Sequence, residues 1–319
     1  MRVILRYHIR EEDAVQQHNR AFLDKAAYSS AAGGARRLRD AAGSVPPTGL
    51  VLLSTLSVQL GAAVAKNLFP ALGPAGAVLL RVGFGAIILL ALRRSRLRGY
   101  ARADYLAAVL FGLTTAGMNY AFYSALDRIP LGVAVTIEFV GPLGVALAGS
   151  RRLTHALWGL LALAGILLFS PIGGAQLDPL GMALALLAGV LWGAYILLGA
   201  RMGRVFPGGT GLTLAMIVGG LALLPVGLAG AGKALLDPGL LLAGVGLALL
   251  SAVVPYSLEI EALRRLPARV FGVLMSVEPA VATVIGFVVL GERLGLRDLT
   301  AIVLVVVASI GASRAAHDK

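Results

Sequence analysis

Three ionisable side chains stand inside otherwise uncharged stretches of this 319-residue sequence: Arg81, Glu138 and Glu278. Carried into a lipid interior, each costs roughly 2.5–3.5 kcal/mol on insertion scales, so each is a functional candidate by default. A guanidinium and carboxylates in one place can hold the two opposite charges of a zwitterion, or can pair with one another. Glu138 is read together with Pro142, because the proline cannot donate to the carbonyl four residues back, which is that of Glu138. A kink, a freed carbonyl and a carboxylate therefore coincide. In MSVEP, Glu278 stands directly before Pro279, a second kink bearing a carboxylate. Either carboxyl could exchange a proton during a working cycle, since leaving water disfavours the charged form. A capping or packing role at the kinks is the structural alternative.

Polar groups without charge accompany them. Asn119 and Tyr120, with Tyr123 close by, share one uncharged stretch, and Tyr256 lies in another. Amides and phenols of this kind bind small polar ligands, and they also bond helices to one another within membranes. Gln59, Lys66, Trp192 and Tyr195 are weaker candidates; Lys66 stands near a helix end, where snorkelling would account for it. Glu259, beside Arg264 and Arg265, reads as a surface charge cluster or a gate.

Helices must position these groups. The chain is 58% hydrophobic and 14% charged, whereas soluble domains carry about a quarter charged residues. Residues 105–126, 179–200, 205–232 and 239–258 hold no formal charge, 131–150 only Glu138 and 270–291 only Glu278. A bilayer core about 30 Å thick needs roughly 20 apolar helical residues. Lipid offers no partner for an unpaired backbone group, so the expected fold is an all-α membrane protein. Ten spans are expected, at 50–69, 75–92, 105–126, 131–149, 154–171, 179–200, 210–229, 239–260, 269–290 and 297–313. The connections, such as PALGPAG and SPIGGAQLDP, leave no room for a soluble catalytic domain.

Lysine and arginine favour the cytoplasmic side. With the N-terminus inside, the inner connections after residue 49 hold fourteen such residues, including Arg93, Arg94, Arg96, Arg98 and Arg102. The outer ones hold five: Lys66, Arg128, Lys233, Arg293 and Arg297. Both termini are therefore expected in the cytoplasm, and the net charge of +12 reads as topology plus attraction to anionic headgroups. No basic face for nucleic acid is visible. Residues 1–49 read as a polar, disordered cytoplasmic tail with no signal-peptide core, or as the product of a start set too far upstream. The chain has no cysteine, and its four histidines fall outside the spans or at an edge, so no metal or other cofactor is expected. Gly227 to Lys233 fits a phosphate-loop pattern, but Ala234 stands where a magnesium-binding hydroxyl is needed.

An offset of 137 residues places ALDRIP (125–130) on ALRRLP (262–267), Phe69-Pro70 on Phe206-Pro207, Pro142 on Pro279 and Asn119 on Tyr256. A repeat of five helices, an odd number, must enter the membrane upside down in its second copy. The expected organisation is a tail (1–49), two inverted repeats (50–175 and 176–313) and a cytoplasmic end (314–319). Inverted repeats recur in secondary transporters, whose halves rock about a site near the midplane.

Three segments carry a likeness to a known family: AKNLFPALGPAGAVLLR, GMNYAFYSALDRIPLGVAVTIEFVGPLGVAL and PYSLEIEALRRLPARVFGVLMSVEPAVATVIGFVVLGE. The sequence resembles the drug/metabolite transporter superfamily in its ten-helix EamA-type group, and most resembles the bacterial threonine/homoserine exporters. That likeness covers residues 50–313. It implies export of small amino acids across the bacterial inner membrane by proton antiport, with the amino acid, protons and the bilayer as partners and no enzymatic activity. In such a cycle Glu138 or Glu278 would hold the ammonium and Arg81 the carboxylate, and a proton from outside would release the cargo. A broad drug or metabolite exporter of the same superfamily is the alternative, and a membrane enzyme or sensor a distant one. Nothing in the sequence speaks to oligomeric state.

Overall fold

A computed structural model describes residues 45–93, 99–148, 153–168, 177–206, 210–266, 271 and 274–315. Most of the expected tail, residues 94–98, 149–152, 169–176, 207–209, 267–270 and 272–273, and the last four residues lie outside the described residues.

The described residues form helices and short connections, with no strand among them. The segment Pro47–Arg93 is broken at Gly73, whose φ of 62° and ψ of 169° are non-helical. Only glycine takes such a backbone at no steric cost. Pro70 and Pro74 flank the break, so it divides the segment into α1 (47–72) and α2 (74–93). There follow α3 (Arg102–Leu126), α4 (Leu131–Glu138), α5 (Val140–Ala148), α6 (Leu153–Leu168), α7 (Pro179–Val205) and α8 (Thr210–Ala231). The chain ends with α9 (Pro238–Ala248), α10 (Val254–Arg265), α11 (Glu278–Leu290) and α12 (Leu296–Ala315). α7 and α9 begin alike: Asp178 accepts from the N–H groups of Leu180 and Gly181, and Asp237 from those of Gly239 and Leu240. Each is followed by proline, the favoured first helical residue because its missing N–H would be unpaired there anyway.

Five helical stretches are long and apolar enough to cross a membrane: Pro47–Leu92, Arg102–Leu126, Pro179–Gly203, Thr210–Leu236 and Pro238–Glu259. Leu131–Val145, Leu157–Leu168 and Glu278–Leu290 are shorter apolar helices. The outer surface is apolar too, with Leu242, Val288 and Phe287 among many exposed large side chains. In water such a surface would be a liability; against lipid it is the expected one.

Three sequence expectations gain detail. The kink expected from Pro142 in the span 131–149 is a full interruption at Phe139, where α4 ends and α5, which contains Pro142, begins. Pro279 is not a mid-helix kink: it lies in the first turn of α11, after a turn at Ser276–Val277. The expected span 239–260 contains a π-helical turn, Leu249–Val253, between α9 and α10.

α3 packs along α7 and α8, α6 along α12, and the arms α1 and α2 against α8, α9, α10 and α11. α4 is wedged between α7 and α11, with all eight of its residues buried. Gly141 and Gly189 permit that wedge. A Cβ on Gly189 would stand 2.6 Å from the Glu138 carbonyl oxygen, and one on Gly141 would overlap the Gly189 carbonyl. The GxxxG pair Gly189 and Gly193 therefore lets α7 pass close to the Glu138 carbonyl that Pro142 leaves without its helical donor.

Candidate functional site

A cavity of about 540 Å³ lies between α1, α2, α3, α4, α5, α7, α10 and α11, within the size range of small-molecule sites. Arg81, Asn119, Glu138, Tyr256 and Glu278 all line it, as do Gln59, Trp192, Tyr195, Glu259 and Pro142. Tyr120 does not: it is exposed and turned away from the cavity, and Tyr123 and Phe122 line the cavity instead. Lys66 lies beyond the lining, and so does Pro279, although its neighbour Glu278 is part of it.

Arg81 is held by three groups. One Nη donates to Asn119 Oδ1, and Nη2 donates to the Ser251 carbonyl at 3.0 Å. The guanidinium lies 5.5 Å from the Tyr123 ring centre, a cation–π contact. Asn119 is oriented in turn by donating Nδ2 to Thr115 O at 2.8 Å, one helical turn back. Local sequence explains the free Ser251 carbonyl. Its α-helical donor would be residue 255, a proline without an N–H, and the π turn opens the ladder there. That carbonyl was not foreseen from the sequence, although Pro255 is a signal that could have found it.

No ion pair joins Arg81 to Glu138 among the described residues, so they do not satisfy one another directly. Glu138 nonetheless lies within electrostatic reach of both Arg81 and Glu278. Its carboxylate accepts no hydrogen bond among the described residues. Gln59, buried on α1, donates Nε2 to Glu278 Oε1 at 2.9 Å. Gln59 Oε1 and Glu278 Oε2, both buried, have no hydrogen-bond partner among the described residues. A buried acceptor left unpaired is costly, and such groups call for an explanation such as a ligand.

Glu259 is joined to α1 by Ser54, whose hydroxyl donates to Glu259 Oε1 at 2.7 Å. It is thus tied across the bundle as well as standing near the helix end. The remaining lining is apolar and aromatic: Trp192 meets Phe139 edge-on at 5.4 Å, and Tyr195 stacks on Phe111 at 4.9 Å. Met275, Ser276 and Ser309 complete the side nearest α11 and α12. Among the described residues no group of three acidic, histidine or cysteine side chains could hold a metal ion. The cavity can hold a small molecule carrying an anionic group at Arg81 and a hydrogen-bond donor at the carboxylates, with an apolar body between.

The EamA-like transporter family matches residues 179–314. The chain is also 40% identical, over 84% of its own length and 91% of theirs, to the threonine/homoserine exporters RhtA of Salmonella typhimurium (strain SL1344) and Escherichia coli (strain K12). The chain belongs to the EamA-like transporter family. It is a membrane transporter, not an enzyme. An uncharacterized protein of Pseudomonas aeruginosa, PA1977, is 34% identical to this EamA-family chain over 68% of the chain and 76% of that protein. One crystal structure matches it at a TM-score of 0.56 and 20% identity, covering 86% of this chain and all of the other, a likeness in fold alone.

Proposed function

We propose that this transporter exports small amino acids of the threonine and homoserine type across a bacterial inner membrane, by alternating access coupled to protons. One observation carries the reading. A guanidinium with no carboxylate partner among the described residues, and two unpaired buried acceptors on Gln59 and Glu278, share one cavity. An amino acid presents the complement: a planar carboxylate for the Arg81 fork and an ammonium with three donors for the acceptors. Glu138, whose carboxylate accepts no hydrogen bond among the described residues, is a third site for the ammonium or for a proton. The 40% identity to threonine/homoserine exporters supports the choice of cargo.

The proposed architecture is ten crossings in two inverted repeats, with both termini cytoplasmic. The break at Gly73 supports two crossings within Pro47–Arg93. The interruption at Phe139 and the turn at Ser276 stand 137 residues apart, the same offset that relates Pro142 to Pro279. In this orientation the cavity runs from Arg81 and Asn119 towards Glu259, Phe271 and Ser309, on the cytoplasmic side.

The test is efflux. Cells preloaded with labelled threonine or homoserine should lose it faster when they carry the transporter than when they carry an Arg81→Gln variant inserted to the same level. Equal loss from the two would reject the assignment of the site.

A further inference from the structure

Outside the cavity, one acidic residue joins three separate elements. Glu292, just past the end of α11, pairs through Oε1 with Lys66 Nζ of α1 at 2.7 Å. Its Oε2 accepts the Leu131 N–H, the first of α4, at 2.8 Å. Lys66 also donates to the Ile129 carbonyl at 3.0 Å, in the turn before α4. The pair is well shielded, with the Glu292 side chain 12% exposed. Local backbone builds the seat: Gly291, at a φ of 66°, ends α11, the Glu292 N–H donates back to Gly286 O, and Gly286 leaves room for the carboxylate.

The three joined elements are the ones that carry the acceptors of the cavity. Lys66 stands seven residues beyond Gln59 on α1, and Leu131 seven before Glu138 on α4, each about 10 Å along a helix. α11 begins at Glu278 and ends just before Glu292. Buried Leu126, Ile129 and Leu131 fill this end of the bundle. A second ion pair, Arg128 with Asp178 at 2.9 Å, ties the same turn to the start of α7. Arg265 pairs with Glu261 one turn apart on α10.

We propose that Glu292 is a positioning residue for transport: it latches the outer end of the cavity shut and acts through Lys66 and the first turn of α4. The proposal rests on the orientation given above. Opening to the outside requires the Lys66–Glu292 pair to part, so weakening it shifts the population towards the outward-open state.

The absence of cysteine gives a clean background for a single reporter, Ala62→Cys, on α1 between Gln59 and Lys66. A membrane-impermeant maleimide is applied to intact cells and, separately, to inverted vesicles. Lys66→Gln and Glu292→Gln should each raise labelling in intact cells about fivefold or more, within the usual span of coupling energies. Glu292→Gln can still accept from Leu131, so its effect isolates the ion pair. Lys66→Arg keeps the pair and should label like the parent. Gly286→Ala, which keeps both charges but crowds the carboxylate, should behave like Glu292→Gln. Parental labelling of all these variants on both faces overturns the latch. A rise confined to inverted vesicles supports the latch and overturns the orientation.

Discussion

Gln59 of α1 donates from Nε2 to Glu278 Oε1 of α11 at 2.9 Å, a buried bond between residues 219 positions apart. The bond fixes the carboxamide and leaves one acceptor on each partner facing no protein donor among the described residues. Gln59 therefore both positions Glu278 and contributes an acceptor of its own. Replacing Gln59 with Leu removes the donor to the Glu278 carboxyl and one acceptor. Losing a partner of a buried polar group costs about 1–3 kcal/mol, so the apparent affinity for exported amino acid should fall about tenfold or more. Glu278→Gln and Glu138→Gln should lower export likewise while inserting normally. Transport assays beside membrane quantification check this, and parental export by all three variants would remove the acceptor role.

Arg81 makes a fork: one arm to Asn119, the other to the Ser251 carbonyl, over the Tyr123 ring. A lysine keeps the charge but not the planar pair of donors. Arg81→Lys should cut export about tenfold or more, the scale set by loss of a charge-assisted bond. Asn119→Asp keeps an acceptor for Arg81 but neutralises the guanidinium, so it should weaken binding of a carboxylate-bearing cargo. Competition by amino-acid methyl esters, which lack the carboxylate, would distinguish the two variants from the parent; an unchanged pattern would argue against Arg81 as the anion site.

How much of this was readable beforehand differs from residue to residue. Uncharged runs marked the helices, and a lone charge within each run marked Arg81, Glu138 and Glu278. Spacing could have separated Tyr120 from Tyr123: residue 123 follows Asn119 by one helical turn and shares its face, whereas 120 is rotated by about 100°. Glu292 gave no such signal. It stands with Arg293 in a loop, where a charge ordinarily means solvent, and its partners Lys66 and Leu131 are 226 and 161 positions away. The free Ser251 carbonyl depends on a π turn, and periodicity does not distinguish such a turn from regular helix.

The close passage of α4 and α5 beside α7 gives a stability prediction. A methyl group on Gly189 would press on the Glu138 carbonyl, and one on Gly141 on the Gly189 carbonyl. Overpacking of this kind costs about 1–3 kcal/mol or forces the helices apart. Gly141→Ala and Gly189→Ala should lower the melting temperature of the purified transporter in detergent, whereas Gly144→Ala, where a Cβ would meet nothing within 4 Å, should not. Equal melting of all three would contradict the packing.

Asp178 provides a pH control. Its hydrogen bond from Arg128, aided by the N–H groups of Gly181 and Leu180, holds the carboxyl below its usual range. A lowered carboxyl contributes stability above its unfolded-state pKa and loses it as pH falls through the lower folded value. The contact therefore stays ionised through neutral and mildly acidic pH. Being exposed, it contributes little in any case. Asp178→Asn should leave the pH profile of export between pH 5.5 and 8, roughly the range where antiport is measured, superimposable on the parent. A shifted profile would place a coupling group at this pair.

In the function proposed above, one cavity binds a zwitterion and carries it outward against protons. Uptake of radiolabelled threonine and homoserine into inverted vesicles, with and without an imposed pH gradient, tests it most directly. Accumulation should require the transporter, rise with an acid interior, and be competed by the unlabelled amino acid but not by its methyl ester or N-acetyl derivative. Accumulation no greater than in vesicles lacking the transporter, or competition by a neutral dye as strong as by threonine, would contradict it.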